Sequence, residues 1–226
     1  MKKLVWITAV LPMLITVVSV QLMPDKIAMH YNAAGKADRL GSKYESFILP
    51  VIIVLMAAFW EYLAYRLKKK VGRGDDERAK VHADSNAKVI DIIALCTTAM
   101  LALMQLAFVI RSVKGLEYSD MNELNITSAL MGILFILLGN IMPKTKPNGS
   151  VGLRIKWSMY NDITWQKSNL FAGKALMASG AVSFITALLV KGITAVILLL
   201  VFLFAALIIS SIYAKRIYDE QKKAEP

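Results

Sequence analysis

Two reactive residue types are nearly missing from this chain of 226 residues, which has one cysteine and two histidines. A single cysteine, Cys96, excludes a disulfide framework within the chain, and its place inside an apolar run makes it read as a lone buried thiol. Two histidines, His30 and His82, satisfy no zinc spacing. There is no His-Glu-x-x-His, no nucleophile elbow, no phosphate-binding glycine loop and no convincing carboxylate pair. The chain is therefore read as a non-enzyme without cofactor or metal. Acidic residues are also few, 16 against 27 Lys and Arg, for a formal charge of +11. No basic domain stands apart from the apolar runs, so direct binding to nucleic acid is set aside. In a multispanning protein the same excess is expected from basic cytoplasmic loops.

What is abundant is apolar sequence: 57% of the residues are hydrophobic, and they come in long blocks. That is a membrane composition. An apolar core of about 30 Å needs roughly 20 apolar residues in a helix. Six segments qualify: Leu4 to Met23, Phe47 to Leu67, Val89 to Ile110, Leu124 to Met142, Leu170 to Val190 and Ile193 to Tyr213. The first is longer than the apolar part of a signal peptide and no small-x-small site follows, so it reads as an anchor with Pro12 as a kink. Only Lys191 and Gly192 separate the last two, which form a hairpin with Gly192 in its turn. The fold class is thus all-α: a six-helix transmembrane bundle with a small external cap between helices 1 and 2. With a cytoplasmic N-terminus, 20 of the 27 basic residues fall inside and 7 outside, so both termini are predicted to be cytoplasmic. Three regions follow: 1–67 (helices 1 and 2 with the external loop 23–50), 68–123 (a cytoplasmic loop, helix 3 and a short external loop) and 124–226 (helices 4 to 6 and the tail).

The first external loop alternates apolar residues at Ile27, Met29 and Tyr31 and then runs into a turn from Asn32 to Gly35, the pattern of a hairpin. His30 with Asp25 and Asp38 is suited to pH sensing or to structural and recognition use. In the first cytoplasmic loop, Asp75 to Lys88 reads as a short solvated helix. The intramembrane polar residues Glu61 and Asp91 lie near the cytoplasmic ends of their spans. They either snorkel or form a cluster neutralised by Lys174 or Arg154. Gln105 alone sits near the middle of a span and makes a poor ion pathway. Ala175, Ser179, Ser183 and Ala187 give the fifth span a small-residue face for close packing, within the bundle or in a dimer.

Between the fourth and fifth spans lies "VGLRIKWSMYNDITW", residues 151 to 165. Pro147, Asn148 and Gly149 make a turn before it, and Asn161 or Asp162 can cap the helix that follows. Trp157, Tyr160 and Trp165 have the rings favoured at headgroup level, with Arg154 and Lys156 beside them, so the stretch reads as an interface anchor.

The same stretch resembles the signature of the SdpI family of bacterial multispanning membrane proteins. The resemblance rests on Gly139-Asn140, Gly152-Leu153-Arg154, Trp157-Ser158, Trp165 and Gly173-Lys174. Ile155-Lys156 stands where the family has Thr-Pro, and Asn169 where a His is common. The external loop is similar to the Pro-Asp-x-Ile-Pro-x-His-x-Asn-x-x-Gly-x-x-Asp domain of unknown function found in many of these relatives, with Ala28 in place of Pro. The resemblance implies an immunity and signalling protein of the cytoplasmic membrane, which protects the cell from an exported antimicrobial peptide toxin and holds a cytoplasmic repressor. External recognition would then fall to Pro24, Asp25, His30, Asn32, Gly35, Asp38 and Arg39. The cytoplasmic motif would be Gly139, Asn140, Gly152, Arg154, Trp157, Trp165, Gly173 and Lys174. The alternative is a transporter or channel for a small solute, although the chain shows neither internal repeats nor, apart from Pro12, broken helices.

Overall fold

The computed structural model describes residues 1–32, 37–71, 77–115 and 123–224. Six helices carry the fold: α1 (Lys2–Ser19), α2 (Ile48–Val71), α3 (Glu77–Lys114), α4 (Glu123–Ile141), α5 (Asp162–Leu189) and α6 (Ile193–Lys223). All six are long and apolar enough to cross a membrane. Large apolar side chains stand exposed along their outer faces, such as Leu14, Leu55, Leu188 and Ile212. Water would expel such a surface, whereas hydrocarbon accepts it.

The helices form two groups of three. Val5 and Ala9 of α1, Ile53 and Ala57 of α2, and Ala94 of α3 make one core, and α5 packs along both α4 and α6 to make the other. The two groups meet chiefly where α3 runs beside α4. Both ends of the chain lie at one end of the bundle. There Lys2 pairs with Glu61 at 2.9 Å, and Tyr218 of α6 stacks edge-on against Tyr160.

Glycine lets α4 and α5 touch backbone to backbone. A Cβ on Gly139 would come within 2.5 Å of the Gly173 carbonyl oxygen, and one on Gly132 within 2.7 Å of the Gly180 carbonyl oxygen. In lipid, where apolar burial drives little association, such close packing is the main attraction between helices. The small-residue row expected to do this is buried inside the chain at Ser179, Ser183 and Ala187, but the closest approach runs through the neighbouring row, Gly173 and Gly180.

Opposite the termini, β1 (Lys26–Tyr31) and β2 (Ala37–Ser42) form an antiparallel hairpin, the expected cap, with a register irregularity between Ala28 and His30. It is seated by Ile27, which is buried with Met23 and with Val109 of α3. At that same end Asn125, on the first turn of α4, fastens the α5–α6 turn. Its Nδ2 donates to the Ala187 and Val190 carbonyls and its Oδ1 accepts from Gly192 N–H at 2.8 Å.

One expectation needs correction. Asp75 lies outside the described residues, and Glu77 to Lys88 is no separate solvated helix but the first part of α3. With 38 residues, α3 is about 57 Å long at 1.5 Å per residue, well beyond the apolar core of a bilayer. Its projecting part buries Ala83, Asn86 and Ala87, which gives this polar sequence a reason to continue the helix.

Candidate functional site

The segment joining α4 to α5 carries no regular helix between a short 3-10 turn at Met142–Lys144 and Asp162, yet its backbone is held at nearly every step. From the projecting part of α3, Asn86 reaches across 60 residues of sequence. Its Oδ1 accepts from Lys146 N–H at 3.0 Å and its Nδ2 donates to the Lys146 carbonyl at 3.2 Å. Asn148 closes the next turn, accepting from Ser150 and Val151 N–H at 2.6 and 2.8 Å.

From α5 come two more fasteners. Trp165, only 2% exposed, donates Nε1–H to the Thr145 carbonyl at 3.0 Å. Asn169, 1% exposed, accepts from Leu153 N–H at 2.7 Å and donates to the Trp165 carbonyl. Gly152 passes between them with φ +109°, where a Cβ would lie 2.7 Å from Asn169 Oδ1 and 3.0 Å from the Trp165 ring. Only glycine satisfies both the dihedral and the space.

Ser158 is fully buried and its hydroxyl bonds the backbone of Leu153 and Ile155. Asn161 is the cap of α5, in a reciprocal box with Thr164 at 2.8 and 2.9 Å. Asp162 pairs instead with Arg78 of α3. A segment this thoroughly bonded presents its outward side chains on a fixed frame. Those are Arg154 and Lys156, both exposed, and Met159, which is 48% exposed. Trp157 is half-buried under the Lys215 ammonium, 5.8 Å from the ring centre.

The expectation for Trp165 is therefore overturned: its ring is no headgroup anchor but an internal post, because its N–H finds a carbonyl inside the segment. Trp157 and Tyr160 remain on the surface. Gly139 and Gly173 are helix contacts, while Asn140 and Lys174 are exposed. Glu61 is not neutralised by Lys174 or Arg154. It bonds Lys2 at 2.9 Å and Trp6 Nε1–H at 3.0 Å, because α1 lies against α2 there. Asp91 is half-buried on α3, close enough for its charge to act on Lys2.

On the hairpin and the turn that follows it, charged side chains pair with one another. His30 Nδ1 lies 2.5 Å from Asp38, Arg39 bonds Glu45 at 2.8 Å, and Asp25 meets Lys43 at 3.1 Å. Among the described residues no third histidine, cysteine or carboxylate joins the His30–Asp38 pair in a metal-sized cluster. Pro24 is exposed, Asn32 is half-buried and bonded, and Gly35 lies outside the described residues. Tyr31 covers Arg111 of α3, with the guanidinium 4.8 Å from the ring centre.

Sequence reasoning missed Asn86 and Asn125, and Glu61's bond to Trp6. Each is a long-range pairing, and no local pattern distinguishes an asparagine that clamps a distant backbone from one that caps a turn.

Six apolar spanning helices with lipid-facing surfaces define a multi-pass protein of the cell membrane. Residues 7–54 match a domain of unknown function, DUF1648, and residues 144–214 match the SdpI/YfhL protein family. The two matches stand in this order along the chain, which is similar to the SdpI family over its C-terminal part. It is 25% identical over 215 residues to the Immunity protein SdpI of Bacillus subtilis (strain 168), covering 93% of this chain and 92% of that protein. No solved structure matches it.

Proposed function

We propose that the chain is a membrane immunity protein which binds an exported antimicrobial peptide at its hairpin end and thereby protects the cell. The observation that carries this reading is the similarity to Immunity protein SdpI, which runs nearly from end to end and not through one module. Orientation follows from charge: the end with the termini and the 142–161 segment is cytoplasmic, since 20 of 27 basic residues lie there, and the hairpin faces outward. A cytoplasmic partner, the repressor implied by the family resemblance, docks on the exposed rim of Arg154, Lys156 and Met159.

The test is a challenge. The gene is deleted from the strain that carries it, and growth is followed in the low-molecular-weight peptide fraction of that strain's own spent medium. Deletion lowers the tolerated dose and re-expression restores it. Unchanged sensitivity of the deletion strain ends the immunity reading.

A further inference from the structure

Where α3 and α4 part at the hairpin end, a cleft of about 280 Å³ opens beneath β1. Its walls are apolar, from Met29, Phe108 and Ile126, with Glu45 and Arg111 adding charge. Ser46, Thr127 and Gln105 add uncharged polar groups, and Gln105 is 1% exposed. Both of its amide hydrogens are committed, to Thr16 Oγ at 2.9 Å and to the Ser46 carbonyl at 3.0 Å. A carbonyl can only accept, so this fixes which end of the amide is nitrogen. The atom that Gln105 offers the cleft is Oε1, and among the described residues no donor reaches it. An acceptor that opens onto an apolar cleft favours an occupant that brings a donor.

We infer that this cleft is the seat of an amphipathic peptide, which inserts one or two large apolar side chains and gives an N–H to Gln105 Oε1. The inference rests on the immunity reading and assigns that reading its site. The volume is roughly twice the 150 Å³ of a cavity that takes up benzene, enough for two such side chains. Hydrogen-bond chemistry selects peptide over phospholipid. The ester and phosphate oxygens of a phospholipid only accept and its few donors sit at the tip of the headgroup, whereas a peptide carries an N–H at every residue but proline. Such an N–H can reach Gln105 Oε1 while the apolar side chains beside it fill the cleft.

Ala107 and Ile126 line the cleft from opposite helices, and neither is part of the polar site. In the challenge assay Ala107→Trp and Ile126→Trp, checked for normal accumulation in the membrane, lower the tolerated dose at least about tenfold, equivalent to 1.4 kcal/mol of binding. Ile110→Trp, at an exposed position on α3, leaves it unchanged. In parallel, the full chain carrying photoreactive p-benzoyl-phenylalanine in place of Ile126 is illuminated with the same peptide fraction, and the adduct is weighed by mass spectrometry. A peptide adduct supports the inference, and it decides the matter if a tryptophan variant fails to accumulate. A phospholipid adduct, or none, overturns it. Both tryptophan variants protecting like the parent also overturn it, with the immunity reading left standing. If the parent itself does not protect, the two fall together.

Discussion

The two irregular parts of the molecule, the 142–161 segment and the β-hairpin, are similar in size and opposite in construction. In the first, buried side chains bond backbone groups: Asn86 to Lys146, Trp165 to Thr145 and Asn169 to Leu153. In the second, beyond the strand ladder, the Ile27 contact and Tyr31 over Arg111, outward-lying side chains bond one another: His30 to Asp38, and Arg39 to the half-buried Glu45. A buried bond whose loss strands a backbone group is costly to break, whereas an exposed ion pair is worth well under about 1 kcal/mol and is screened by salt. One end of the protein is therefore a fixed surface and the other is an adjustable one. That division fits the proposed function, with ligands admitted at the hairpin end and one fixed shape presented at the other.

The α4–α5 contact that leads into the 142–161 segment is the place to break first. Gly139→Leu or Gly173→Leu forces the α4 and α5 backbones apart, and the expected outcome is loss of monodisperse protein on size exclusion in detergent. Next come Trp165→Phe and Asn169→Leu, which keep the bulk but strand the Thr145 carbonyl or Leu153 N–H. Each is expected to destabilise by about 1–3 kcal/mol, seen as faster amide exchange confined to residues 142–161. Arg39→Ala removes only an exposed pair, and a shift in thermal midpoint as large as that of Trp165→Phe would refute the contrast. The smallest effect is that of salt. Raising it from about 0.1 to 1 M shortens the Debye length from roughly 10 to 3 Å. Hairpin amides should then exchange modestly faster while those of the 142–161 segment stay unchanged.

How much of this was legible in the sequence varies with the kind of force involved. The spans were legible because hydrocarbon requires every backbone polar group to be bonded within the protein, and an unbroken run of about 20 apolar residues meets that as a helix. The hairpin was legible because alternation at Ile27, Met29 and Tyr31 is a local signal, as is the capping of α5 at Asn161–Asp162, between which the structure chose Asn161. The extension of α3 back to Glu77 was hidden, since its polar residues look solvated until the surface that buries Ala83 and Asn86 is known. Trp165 was misread for a different reason: a tryptophan beside cations has the same sequence signature whether its N–H meets water or a carbonyl. Glu61 found its partners in α1, and spacing along one helix says nothing about which neighbour it faces.

The seam between the two helix groups has one further consequence. At the terminal end it is riveted, by Asn86 on Lys146, Arg78 on Asp162 and the shared core of Ile90, Ile141 and Val151. At the hairpin end it gapes into the cleft. A joint fixed at one end and open at the other has one easy motion, a swing about the fixed end, in which ångströms of travel beneath the hairpin become a small rotation at the rivets. The long arm of that lever is the part of α3 that lies inside the membrane.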